Sequence, residues 1–181
     1  MSSLAAEPRR PGGETSGWAR VEVYATFMKL TGDLEVVRPD RLSDSVNGSR
    51  RYLQLRDATA EPLSVNYPVL SRVEPSTIIA KSAVLLLCPL DEPESKAVSE
   101  LRRAKVSHQV AINTIAFSLV ADIHLEAGQT LLDHLERHPG AFLPLTNVSA
   151  LWVTALSRET NAVQRPFALL NPSGILSFSD R

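Results

Sequence analysis

Arg41-Leu42-Ser43-Asp44-Ser45-Val46-Asn47 follows a strand-like run, and its pattern returns as Thr130-Leu131-Leu132-Asp133-His134-Leu135-Glu136 after a second such run. In each box one apolar residue stands two places before an aspartate and another two places after it. Leu42 and Val46, like Leu131 and Leu135, are four apart and so share one face of a short helical turn. The residues around the boxes repeat in the same order, so the chain carries an internal duplication.

Before the first box, Val21, Val23 and Ala25 alternate with Glu22 and Tyr24. Met28, Leu30, Gly32, Leu34 and Val36 then alternate with Lys29, Thr31, Asp33 and Glu35. Both runs have the period of a half-buried strand, and Gly32 inside the second predicts a strong bend. Arg38-Pro39-Asp40 breaks it. After the Asn47-Gly48-Ser49 turn, Tyr52, Leu53 and Leu55 predict a third strand running toward Thr59. A fourth is expected between Leu63 and Val73, interrupted by Pro68, with a turn at Pro75. Ile78-Ile79-Ala80 and Ala83–Cys88 predict two short buried segments around a Lys81-Ser82 break.

The plan recurs at a shift of about 90 residues, the length of a small domain rather than of a solenoid repeat. Val110 and Ile112 answer Val21 and Val23. Leu119, Asp122, Ile123 and Leu125 answer Leu30, Asp33, Leu34 and Val36. After an insertion near His138-Pro139-Gly140, Phe142-Leu143-Pro144-Leu145 answers Tyr52-Leu53-Gln54-Leu55. Ser173–Phe178 answers Ala83–Cys88. Between the units, early acids (Asp91, Glu92, Glu94), Pro93 and late bases (Arg102, Arg103, Lys105) suit a helix dipole and predict a linker helix. The expected organisation is a flexible tail over 1–19, a first unit over 20–90, a linker helix over 91–106 and a second unit over 107–181.

Val21–Val36, with Gly32-Asp33-Leu34, resembles the first half of an Sm-like domain, and Ile78–Leu85 resembles its closing segment. The Arg-Leu-Ser-Asp-x-Val-Asn box, followed by Tyr52–Asp57 and again by Phe142–Asn147, also resembles a bacterial family of uncharacterised proteins. The resemblance covers roughly residues 21–90 and 108–179. It implies a mainly β protein of two tandem small Sm-like or SH3-like β-barrels joined by an α-helix, with strand edges suited to assembly. It also implies RNA binding, through an Asn after the second strand and an Arg-Gly in the last turn. Asn47 stands in the first place, but Glu136 matches it in the second unit, and the last turns carry Lys81-Ser82 and Asn171-Pro172.

Composition narrows the function classes. The 181 residues are 44% hydrophobic and 22% charged, enough to bury a core. A formal net charge of −1 gives no general field for nucleic acid or anionic lipid. A single cysteine, Cys88, excludes an intrachain disulfide and fits a reducing compartment. Its flank, Leu85-Leu86-Leu87, predicts a buried small hydrophobe rather than a reactive thiol. Neither a secretory h-region nor a run near the roughly 20 apolar residues of a membrane helix is visible. A cytoplasmic location, with attachment at the periphery of a membrane complex, is the expectation.

Searches for chemistry return little. His134 and His138 are four apart around Glu136, with His124 or Asp133 as a third ligand, a spacing that metal sites use. Beside Pro139-Gly140 they read better as surface histidines, since Ser45 and Ser49 stand at the matching places. Asp33/Asp122 and Asp44/Asp133 recur in both units, which suits turn-fixing oxygens better than a catalytic pair. No phosphate loop, zinc-finger spacing or nucleophile elbow is present. No catalytic, cofactor-binding or metal residue is assigned, and no cofactor is implied.

The reading is a non-catalytic interaction or scaffold protein, an accessory subunit peripheral to a larger assembly. That assembly class includes the cytoplasmic face of a respiratory or photosynthetic membrane complex. Trp18, Tyr67 and Trp152 are the candidate partner-binding anchors, each equally suited to a core. The first alternative is an RNA-binding Sm-like protein using Asn47, Arg50, Arg51 and Lys81. The second is a small-ligand sensor with a pocket between the two units.

Overall fold

A computed structural model of the protein describes residues 16–37, 41–63, 72–91, 105–153 and 160–181. The period-two runs form strands, and the protein is mainly β. The first unit contains β1 (Ser16–Tyr24), β2 (Met28–Val37), α1 (Leu42–Asn47), β3 (Tyr52–Pro62), β4 (Arg72–Ala80), a 3-10 turn (Lys81–Ala83) and β5 (Leu86–Pro89). The second contains β6 (Lys105–Thr114), β7 (Ser118–Glu126), α2 (Leu131–Arg137), β8 (Leu143–Val153), β9 (Thr160–Leu170), a 3-10 turn (Pro172–Gly174) and β10 (Ile175–Asp180).

The ten strands among the described residues join one open antiparallel sheet, ordered β10-β6-β7-β8-β9-β5-β1-β2-β3-β4. Each unit contributes five neighbours in the same relative order, and β5 closes the seam by pairing with β1 on one side and β9 on the other. The two boxes are α1 and α2, each inserted between a unit's second and third strands. Both units also carry a bulge where the second strand meets the third. Asp57 and Asn147, the extra residues, take positive φ values of 47° and 51°. Bulges of this kind bend a strand and increase its twist, so the bend expected at Gly32 has its backbone cause one strand away. A Cβ on Gly32 would stand 3.0 Å from the Arg56 carbonyl.

Four expectations need correction. Residues 16–19 belong to β1 rather than to a tail, because Ser16 to Ala19 pair with Val37 to Leu34. Lys105 and Val106 belong to β6 rather than to a linker helix; 92–104 lie outside the described residues. The strand expected between Leu63 and Val73 falls mostly on 64–71, outside the described residues; β4 follows it at Arg72–Ala80, and its Ile78 is exposed instead of buried. Pro75 is within that strand, where an edge position leaves its missing N–H without consequence. Among the described residues no helix is long and apolar enough to cross a membrane.

The buried residues form two core clusters, and each draws on both units. Val21, Val23, Leu34, Leu42, Val46 and Leu87 of the first unit share theirs with Phe142 and Leu169 of the second. Val110, Ile112, Leu119 and Ile123 share theirs with Tyr24, Leu86 and Cys88. The continuous apolar run at Leu85–Cys88 follows directly, since alternate residues of β5 enter different cores and neither face is wet. Burial, and then the charge on Glu22, push the Cys88 thiol up to about 12. Cys88 is therefore expected to resist an aromatic disulfide reagent in buffer and to react fully in denaturant. Rapid labelling of the folded protein would contradict its burial.

Candidate functional site

The seam between β5 and β9 is where the chain shows how one unit accepts another. Its register sets Leu86 opposite Leu170 and Leu87 opposite Leu169. Polar locks flank this apolar strip. Asn47, the last residue of α1, donates from Nδ2 to the Phe142 carbonyl at 3.1 Å and accepts from the Phe142 N–H at 2.8 Å. Asn171 Nδ2 donates to the Lys81 and Val84 carbonyls at 3.1 and 2.9 Å. Arg165 donates to Glu22 Oε2 from Nη2 at 2.6 Å and from Nε at 3.1 Å. The Tyr24 hydroxyl donates to the same oxygen at 2.9 Å. Gly140 is required beside this lock, because a Cβ there would stand 2.7 Å from the Asn47 amide.

The groove at the seam has a volume of about 390 Å³ and is bordered by Lys81, Gly140 and Asn171. Its polar groups do not converge on its interior. The Lys81 ammonium donates to the Gly48 carbonyl at 2.7 Å, and Asn171 serves the first unit's backbone. Burial, reinforced by Arg50, lowers the Lys81 pKa.

The residues named for RNA are partly brought together. The Lys81 N–H donates to the Arg51 carbonyl, so Asn47, Gly48, Arg51 and Lys81 meet at one end of the first unit. Asn47 and Lys81 spend their donors on the backbone, however, and Arg50 lies 3.5 Å from Glu35. Arg50 and Arg51 are exposed. Of the aromatic anchors, Trp18 and Trp152 are not brought to one surface patch. Trp18 lies in β1 with the Arg56 guanidinium 3.9 Å from its ring centroid. Trp152 packs edge-on against Tyr24 and Phe117. Tyr67 lies outside the described residues.

The repeated aspartates hold local structure. Asp33 pairs with Arg20 at 3.2 Å and Arg56 at 3.6 Å, and Asp122 accepts from Asn147 at 2.6 Å, bracing the two bulges. Asp44 accepts from the Arg41 N–H, and Asp133 is paired with the capping hydroxyl of Thr130.

The His134 and His138 rings are 5.9 Å apart, and no metal-holding group of three His, Cys, Asp or Glu occurs among the described residues. His138 Nε2 lies 2.8 Å from the Phe142 carbonyl, so it serves the seam. Burial, then the neighbouring His138 and Lys105, lower the His134 pKa, while Glu126 opposes them. The unfolded chain thus takes up this proton more readily than the folded one. His134 contributes fully above its ordinary value of 6.5, and that contribution is lost as pH falls through 6.5 toward the depressed folded value. His134→Phe is expected to flatten the acid limb of a urea-midpoint series measured across that range. An unchanged limb would overturn this assignment.

Comparison with protein-family models, with curated proteins and with solved structures finds no match for the chain. What the sequence reading missed lies at the two ends of the sheet. β4 carries exposed Val73 and Ile78, and β10 carries exposed Leu176. Period-two patterning marks such residues as strand residues, yet it cannot tell an edge from an interior strand.

Proposed function

We propose that this chain is a non-catalytic interaction or scaffold protein, a peripheral subunit built from two tandem Sm-like units that binds through its sheet edges. The observation that carries this reading is the pair of edge strands, β4 and β10, each paired on one side only among the described residues, with Val73, Ile78 and Leu176 exposed on them. Natural sheets usually blunt such edges with charge or cover them. An edge that keeps apolar side chains suits strand addition, in which main-chain bonds supply affinity and side-chain pockets supply specificity. The Sm-like assignment is supported by the order within each unit, where the fifth strand lies beside the first and follows a 3-10 turn. A cytoplasmic assembly, including the face of a respiratory or photosynthetic membrane complex, remains the class of partner this reading names.

The test is affinity capture of the tagged full chain at physiological salt, alongside Ile78→Lys and Leu176→Lys. Specific capture by the parent chain that either variant loses supports the reading. A parent chain that elutes alone, as one monomer, overturns it. Binding of single-stranded RNA, weakening steeply with salt and unaffected by the edge variants, would instead favour the exposed cations Arg50 and Arg51.

A further inference from the structure

We propose that the occupant of these edges is a second copy of this chain, added head to tail, so that β10 of one molecule pairs with β4 of the next. The inference rests on the edge-binding reading above and deepens it. The chain contains its own template. At the seam, Phe142 and Leu169 of the second unit form a plug, and Leu42, Val46, Val84 and Leu87 of the first unit form the socket that shares their core. All six are buried, five of them completely and Leu42 nearly so.

Pairing registers carry each position to its repeat. Leu53 faces Ile79 as Leu143 faces Leu170, so Ile78 corresponds to Leu169 and Tyr52 to Phe142. Val23 faces Leu87 as Ile112 faces Phe178, so Phe178 corresponds to Leu87 and Ile175 to Val84. The first unit therefore carries an exposed plug: Tyr52 is 59% exposed and Ile78 69%. The second unit carries a socket that is only partly closed. Leu131, Leu135, Ile175 and Phe178 are all partly buried, and α2 buries no residue where α1 buries Leu42 and Val46. One molecule's plug matches another's socket in chemistry and in register, placing Ile78 opposite Phe178 and Ile79 opposite Ser177.

A contact of this kind is heterologous, so repetition gives a ring if its rotation closes and an open series if it does not. The polar locks are not all repeated. Glu136 stands where Asn47 does and can accept from the Tyr52 N–H but cannot donate to its carbonyl. Ala80 replaces Asn171, and Glu74 and Ala111 replace the Arg165–Glu22 pair. The intermolecular joint keeps most of the apolar plug while losing the locks, which makes it reversible and concentration-dependent.

Sedimentation of the full chain over a wide concentration range tests this, with Ile78→Lys blocking β4 and Leu176→Lys blocking β10. Both positions are exposed in the single molecule, so both variants are expected to fold. The parent chain is expected to gain mass with concentration, and each variant alone to remain a monomer. An equimolar mixture of the two is expected to form one heterodimer and nothing larger, because each retains the edge the other lacks. A parent chain that stays monomeric throughout, or variants that associate like the parent, overturns the inference. If the parent stays monomeric yet captures a different protein that Ile78→Lys loses, the self-association is wrong and the edge reading stands. If the edge variants change neither mass nor capture, both fail.

Discussion

Phe142→Ala is expected to destabilise the protein by about 3–5 kcal/mol, the cost of removing a large aromatic from a packed core. Its counterpart Tyr52→Ala, chemically almost the same truncation one unit earlier, is expected to change monomer stability by no more than about 0.5 kcal/mol. The contrast follows from environment alone. Phe142 is fully buried among Leu42, Val46 and Leu87, and its backbone is held at both polar atoms by Asn47. Tyr52 begins the equivalent strand with its side chain exposed. Urea unfolding monitored by circular dichroism at low protein concentration measures both. A Phe142→Ala loss below about 1 kcal/mol, well short of that range, would mean that the seam is loose and that the units fold independently. A large loss from Tyr52→Ala at a concentration where the parent is monomeric would mean that Tyr52 is buried within one molecule. The same Tyr52 variant at high concentration reads something else, the plug of the intermolecular joint.

Legibility in the sequence followed periodicity and stopped where geometry needs partners. The alternation of Val21 to Val36, its echo at Val110 to Leu125, and the two boxes are local patterns with a fixed side-chain period, so they revealed strands and helical turns. Asp44 and Asp133 were readable as turn-fixing groups for the same reason: an oxygen near a helix start acts within three residues. Residues 16–19 were misread because Gly17 and Trp18 give no alternation, and their pairing to Val36 and Glu35 is set by β2. Ile78 was misread as buried because Ile78-Ile79 looks the same on an edge as inside. Its neighbour Ile79 is indeed buried, and Ile78 is exposed on a strand that is the last of the sheet among the described residues. Asn47, read for a nucleotide, has its amide engaged by the Phe142 backbone. An amide at that point can read a nucleotide or a peptide group equally well, and only the arrival of Phe142, 95 residues later in the chain, decides which. The Glu22–Arg165 pair was invisible because Ala111 and Glu74 stand at the matching places of the other unit and cannot form such a pair.

That pair supports the second large effect. Glu22 is 8% exposed in β1, a place where an ionised carboxylate needs partners. Arg165 from β9 supplies two N–H groups and Tyr24 its hydroxyl, while Lys29 stands off at 4.0 Å. Arg165→Met removes the main counter-charge across the seam and leaves the carboxylate in place. Breaking one side of a buried pair costs roughly 3–5 kcal/mol, and the lower end is expected because the Arg165 side chain keeps 25% exposure and Lys29 is near. Adding Glu22→Gln to Arg165→Met removes the stranded charge while its amide oxygen still accepts from Tyr24. The double variant is therefore expected to be more stable than Arg165→Met alone, a non-additivity that a urea double-mutant cycle measures directly. Additive losses would show that the two side chains do not meet. The alkaline limb carries an independent signature. Burial first, and then Glu22, raise the Tyr24 phenol far above its ordinary 10.0, and Cys88 rises from 9.0 to about 12. Both groups keep their protons longer in the folded state, so their contributions are full below those ordinary values and are lost as pH rises through and beyond them. Replacing Glu22 by Gln withdraws the negative charge that holds both protons, and the loss of stability between pH 9 and 12 is expected to become shallower. Unfolding midpoints across that interval, compared between Arg165→Met and the double variant, separate this charge effect from a simple packing defect at the seam.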